Sequence, residues 1–186
     1  MDMADELDAE TKLKIYALIL NRYKDTINKS ESRSISEIRQ KVSPYNEYIR
    51  ALKDRLLYDI APYDSERSFV QASERILAYI RGVRACEFAF SFWMTYEEIE
   101  SLKIASGMDK AMLYASLLRS IGSEDARVLV TRSGKVFVRY SHHGIDHLYD
   151  PLTNAFSSGA GSLGFFAEDP LAYSFNDLAY ENFEED

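Results

Sequence analysis

Residues 93–130 read WMTYEEIESLKIASGMDKAMLYASLLRSIGSEDARVLV, and the changes of pattern inside them decide the fold. Thr95 followed by Glu98 is a capping-box pattern, in which a hydroxyl and a carboxylate each take up a backbone N–H that a helix start leaves unpaired. It predicts a short helix through Leu102, and Ser106 and Gly107 then break the chain. From Met108 or Asp109 onward, Met112, Leu113, Leu117, Leu118 and Ile121 recur at helical spacing, and Gly122 supplies a stop. Apolar residues occupy more than one side of this helix, so it is expected to be buried.

After Gly122 the period falls from that of a helix to that of a strand. Segments 126–132 and 135–141 are rich in Val, Leu, Phe and Tyr and are joined by Ser133 and Gly134, a two-residue hairpin signal. A third strand, 147–150, follows a turn at His143 and Gly144. After Pro151, NAFSSGAGSLG reads as a loop, and LAYSFND as a last edge strand.

Upstream, the pattern is helical. Tyr16, Ile19, Leu20, Tyr23 and Ile27 share a face within 7–28, with acidic residues before and Lys24 and Lys29 after, which suits the helix dipole. Ser34 and Glu37 form another capping box, opening a short helix with Ile35, Ile38 and Val42. Ser43 and Pro44 read as N-cap and first residue of a third helix carrying Tyr48, Ile49, Leu52, Leu56 and Ile60. Asp64 caps a fourth, with Phe69, Ser73, Ile76, Leu77 and Ile80 on one face and Gly82 after it. ACEFAFSFW, which follows, reads as a strand or an extended core segment. Five helices followed by an antiparallel meander predict an α+β domain with a buried central helix packed on the sheet. The expected organisation is an N-terminal helical arm, 1–42, and a domain over 43–186.

Composition narrows the function classes. The chain has 186 residues, 46% of them hydrophobic and 28% charged, which is globular composition. The acidic start MDMADELD offers no secretory signal, and the six-residue run from Ile15 to Leu20 falls far short of the ~20 residues of a membrane span. One cysteine, Cys86, excludes an internal disulfide and any cysteine-based zinc site, so the expectation is a cytoplasmic protein. A net charge of −8 disfavours nucleic acid unless the basic residues between Arg33 and Arg55 cluster in one stripe. No cofactor is expected.

The stretch 93–130 resembles that part of the transglutaminase-like superfamily, its archaeal and bacterial members in particular, in which a Trp and a capped short helix precede a Gly-Asp-Cys-x-Asp-x-Ala turn, a Leu-rich helix and an Ala-Arg-Val strand. KVFVRYSHHGIDHLYDPLTN, residues 135–154, is similar to that family's His-Ala-Trp-Val-Glu strand, hairpin and Leu-Asp-Pro strand. The resemblance implies a papain-like core. It also implies a Cys at the start of the buried helix, a His base on the following hairpin and an Asp that orients the His. Carried over residue by residue, Asp109, Lys110 and Ala111 align with the end of the turn. That sets Gly107 at the Cys position, Lys135 at the His position and Asp150 at the Asp position. Only the carboxylate is retained, so the catalytic set is read as vacated and the chain as a protein-interaction or ligand-binding module.

Other residues carry competing readings. Ser106 would become the nucleophile if the alignment slipped by one residue, but a Ser before a helix is ordinarily an N-cap. Cys86 among phenylalanines reads as a core thiol; the alternative is a cysteine-dependent hydrolase or amidase pairing it with one of the three His. His142, His143 and His147, with Asp146 and Asp150, have a metal-site composition, yet adjacent strand residues point to opposite faces, so a polar turn is the favoured reading. Trp93, Lys135, Phe137, Arg139 and Asp150 are candidates to line the old cleft, where a cation beside Gly107 could take a carboxylate; alternatively Lys135 or Arg139 pairs with Asp150.

Overall fold

In a computed structural model, the structure describes residues 9–30, 34–88, 92–159, 161 and 164–183. Its centre is the helix at Gly107–Ser120 (α6 in chain order), in which every side chain from Asp109 to Leu118 is buried. Before it come α1 (Ala9–Ser30), α2 (Ile35–Lys41), α3 (Glu47–Leu56), α4 (Ser65–Arg81) and α5 (Tyr96–Leu102). Helix α6 packs against α3 and α4 on one side. On the other it meets the strands β3 (Arg127–Thr131) and β4 (Val136–His142). Ile49, Ile76, Ile80, Leu113, Leu117 and Leu118 are all but inaccessible. Each such side chain stabilises the fold by roughly 1.5–3 kcal/mol.

The sheet continues through β5 (Ile145–Tyr149), β6 (Phe156–Ser158), β7 (Leu171–Phe175) and β8 (Tyr180–Asn182), in the order β6-β5-β4-β3-β7-β8. All pairings in it are antiparallel. Register puts Val128, Val138, Tyr149 and Phe175 in one row across the strands. That row faces α6, since the Tyr114 ring of α6 meets Tyr140 and Tyr149 edge-on. The opposite face carries Leu129, Phe137 and Leu148, covered by Phe166 and Leu171.

Several local expectations meet their physical reasons here. Both capping boxes, Ser34–Glu37 and Thr95–Glu98, are formed. The third helix starts later than Ser43 and Pro44 suggest: Asn46 is its N-cap, accepting from the Tyr48 N–H, because residues 43–46 are taken up in a turn closed from Asn46 N–H to Ser43 O. The segment after Pro151 holds β6 as well as a loop. LAYSF is an inner strand, β7, because β8 pairs outside it. Of ACEFAFSFW, residues 89–91 lie outside the described residues; Arg84–Ala85 form a short strand, β1, parallel to β2 (Ile104–Ala105).

The chain divides into two units, Met1–Ser32 with Phe88–Trp93, and Arg33–Glu87 with Met94–Asp186. Helix α2 therefore belongs with the larger unit, where the Arg39 guanidinium donates to Asp177 O and Leu178 O. No helix among the described residues is long and apolar enough to cross a membrane.

Candidate functional site at the start of the central helix

Ser106 is the N-cap of α6: its hydroxyl oxygen accepts from the Asp109 N–H at 3.0 Å, and its O–H donates to Asp109 Oδ2 at 2.6 Å. Asp109 is buried and also accepts from the Met94 N–H. Burial pushes its carboxyl up to about 6, against the pull of the Ser106 and Met94 hydrogen bonds. A serine committed in this way is an N-cap, and the group that takes its proton is the capping partner Asp109 rather than an imidazole.

Gly107 opens the helix, and the Leu152 side chain stands over it: a Cβ on Gly107 would lie 3.1 Å from Leu152 Cδ2. Leu152 is held there by the turn that Asp150 builds. Asp150 Oδ1 accepts from the Leu152 and Thr153 N–H groups at 2.8 and 3.2 Å, and Oδ2 accepts from the Thr153 hydroxyl at 2.8 Å. Both carboxylate oxygens are thus engaged in shaping the 150–153 turn.

One turn into α6, the inaccessible Lys110 donates its ammonium to Asn154 Oδ1 at 2.7 Å, an oxygen that also accepts from the Tyr149 hydroxyl at 2.7 Å. Burial pushes the Lys110 amine down to about 8, and the charge of Asp150 opposes that shift. The 150–154 segment is in this way tied onto the helix start by its neighbours on α6 and β5.

The remaining sequence candidates are not gathered around Gly107. Lys135 is exposed in the turn that joins β3 to β4, with Nζ 3.6 Å from Asp169. Phe137 is part of the cluster on the sheet face away from α6, in edge contact with Phe166. Arg139 shares that face and pairs with Asp146 at 2.6 Å, so the basic side chain expected either to line a cleft or to meet Asp150 does neither. Trp93 lies in the unit that holds α1.

Cys86 is half-buried and therefore not a sealed core thiol. Its N–H bonds to Ala105 O, continuing the parallel register of β1 and β2 so that Cys86 stands level with Ser106, about one strand spacing or ~5 Å away. The imidazoles lie elsewhere. His142 stacks on Phe69 near the start of α4 and touches His143, whereas Cys86 follows the end of that helix. At ~1.5 Å per residue the intervening turns separate them by on the order of 20 Å. His147 is sandwiched between Tyr140 and Phe156 and bonds to Ser158. No group of three or more His, Cys, Asp or Glu side chains among the described residues is placed to hold a metal ion.

No protein-family model matches the sequence, and no curated protein does. Solved structures do match by shape. Legionella pneumophila LapG superposes with a TM-score of 0.54 at 13% identity, covering 83% of this chain and 90% of that one. EGTA-treated LapG from the same organism gives 0.54 at 12%, over 82% and 87%. Calcium-bound LapG gives 0.52 at 11%, over 81% and 88%. The fold is the papain-like one of LapG. At such identity the likeness is one of architecture alone. The residues at the helix start are this chain's own.

Two features of the site had little signal in the sequence. Leu152 is an ordinary apolar residue in a turn, and the Asp150 hydrogen bonds together with the bonds to Asn154 bring it over Gly107. The nearness of Cys86 to Ser106 depends on a parallel pairing of two-residue strands, too short for any periodicity to register.

Proposed function

We propose that this chain is a non-catalytic transglutaminase-like domain that acts as a protein-interaction module, with α1 as its contact surface. The observation that carries the first half is the Gly107–Leu152 contact. A position that would present a thiolate at a helix N-terminus has no side chain, and the space is taken by a leucine. Without the nucleophile, the Asp that would orient a base has nothing to organise, and here it shapes a turn instead.

The second half rests on exposure. Leu13, Tyr16, Ile19 and Tyr23 of α1 are 67%, 59%, 48% and 53% exposed, a run of large apolar side chains along one helix. Such a patch is a feature of contact surfaces. The basic residues give less support to nucleic acid: Arg39 is bound to backbone carbonyls, Arg55 to Glu100 and Lys53 to Asp54.

Photo-crosslinkers placed at Tyr16 and, separately, at Lys135 test the choice of surface. Protein adducts from Tyr16 are expected; adducts from Lys135 alone would move the surface to the β3–β4 turn. A second reading, a hydrolase using Cys86, is favoured by the place of that thiol beside the N-cap of α6. Stoichiometric acylation of Cys86 by an activated ester would establish it at the expense of the first.

A further inference from the structure

Among the exposed apolar side chains of α1, which also include Ile15, Leu18 and Ile19, Leu13, Tyr16, Leu20 and Tyr23 share one face at spacings of three, four and three residues, the repeat of a helix-to-helix seam. With Leu13 and Leu20 at the first core position and Tyr16 and Tyr23 at the second, the flanking positions hold Glu10, Ala17 and Lys24 on one side and Lys12, Ile19 and Thr26 on the other. We infer that this face pairs with α1 of a second copy of the chain, the two helices running antiparallel. The inference rests on α1 being the interaction surface and names its occupant.

The register follows from the residues. Setting Leu13 level with Tyr23 of the second copy sets Tyr16 level with Leu20, and the two-fold axis repeats both layers. Each of the four layers then joins a leucine to a tyrosine, a branched aliphatic group against a ring. On one flank Ala17 meets its own copy near the axis and Glu10 comes beside Lys24, twice by symmetry. On the other flank Ile19 meets its own copy and Lys12 comes beside Thr26. No like charges are brought together. A parallel pair would instead set Ile19 beside Lys24 and would join no opposite charges, so the charge pattern selects the antiparallel arrangement.

The helix is also of opposite sign to the whole. Ala9–Ser30 holds Lys12, Lys14, Arg22, Lys24 and Lys29 against Glu10 and Asp25, a local excess of cations in a chain of net charge −8. The Glu10–Lys24 pairs across the seam then set its direction. The seam from Leu13 to Tyr23 is ~15 Å long, so a reversible, concentration-dependent dimer follows.

Sedimentation equilibrium of the full chain over a dilution series is the test. The expected weight-average mass climbs from 21.3 kDa toward twice that value with concentration. Leu20→Glu holds it at the monomer. Glu10→Lys raises the dissociation constant about tenfold at low salt, and adding Lys24→Glu restores it. In a Cys86→Ser background, Ala17→Cys forms a disulfide-linked dimer on mild oxidation, while Leu18→Cys, on the other side of the helix, does not. A mass that stays monomeric at the highest soluble concentration overturns self-pairing, and Tyr16 crosslinks to another protein would still stand as evidence for α1 as a contact surface. A monomer whose α1 face cosediments with anionic vesicles assigns the face to lipid and overturns both. A dimer that survives Leu20→Glu, or one lacking the Ala17 crosslink, overturns the interface or its direction.

Discussion

Leu152 stands where a side chain on Gly107 would project, with its Cδ2 3.1 Å and its Cγ 3.2 Å from the place of a Cβ. Restoring a cysteine at 107 therefore requires Leu152 to shift, and Leu152, 44% exposed, has room to do so. Gly107→Cys in a Cys86→Ser background is expected to fold and to react slowly with iodoacetamide, because the leucine covers the new sulfur. Adding Leu152→Ala should accelerate alkylation at least tenfold, since the thiol then sits open at a helix N-terminus that favours its thiolate. Equal rates in the two variants would show that Leu152 does not guard the position. Neither variant is expected to turn over, as Lys135 is committed toward Asp169 at the hairpin.

The Arg119–Asp177 pair should be a principal stability element of the larger unit. The guanidinium donates to both carboxylate oxygens at 2.6 and 3.1 Å, and the side chains are only 7% and 14% exposed. Asp177→Ala leaves a buried guanidinium without its counter-charge and is expected to cost about 3–5 kcal/mol in urea unfolding, with an unchanged slope. The double variant Arg119→Met, Asp177→Leu should recover a large part of that loss, because two apolar groups need no partner. A cost under ~1 kcal/mol for Asp177→Ala would place the pair among ordinary surface bridges.

The fold was more legible than the site, and the difference has a physical basis. Caps and periods are local: Ser34 with Glu37, Thr95 with Glu98, and the apolar rows of α4 and α6 each announce themselves within a few residues. Helix α3 misled because two turn-forming residues, Ser43 and Pro44, precede the true cap Asn46. The surroundings of Gly107 are set by pairings across the chain, such as Lys110 with Asn154 and Cys86 with Ala105, and no local pattern encodes them. Arg139 shows the same limit: its face follows from strand register, and its partner Asp146 lies across the hairpin.

Two buried groups at the helix start give opposite pH dependences. The Lys110 amine is pushed from its ordinary value of 10.5 down to about 8 in the folded state. Between those values the unfolded chain binds the extra proton, so stability rises with pH from 8 until the raised tyrosines begin to oppose it near 10. The Asp109 carboxyl is instead raised from 3.8 to about 6, so the folded state binds the extra proton and stability rises as pH falls through that window. Glu100 works against Asp109 at the acid end: burial opposes ionisation, yet hydrogen bonds from Lys103, Tyr79 and Arg55 hold it down to about 2, and its contribution is lost between 4.5 and 2. Thermal melting across pH checks the assignment. Lys110→Met should flatten the rise between pH 8 and 10, and Asp109→Asn the change between pH 4 and 6. Curves that keep the wild-type slopes would assign them to other groups.

Cys86 separates the two functional readings most directly. Its N–H is fixed to Ala105 O at 2.9 Å, so it stands beside the N-cap of the helix that starts at Gly107. A covalent hydrolase needs more than a thiol in that place: a base must reach it and be held by a third group. His142 is stacked on Phe69 near the start of α4, at the other end of that helix from Cys86, and His147 is stacked between Tyr140 and Phe156 and bonded to Ser158. Mixing the protein with p-nitrophenyl acetate should therefore release p-nitrophenol without a burst, at a slow rate that Cys86→Ala leaves within about twofold. The same substitution removes a half-buried group and should cost less than ~1 kcal/mol. A burst of one equivalent per chain, abolished by Cys86→Ala, would show an acyl-enzyme and make Cys86 a working nucleophile. It would also move the active position of this papain-like fold from the helix to the strand beside it.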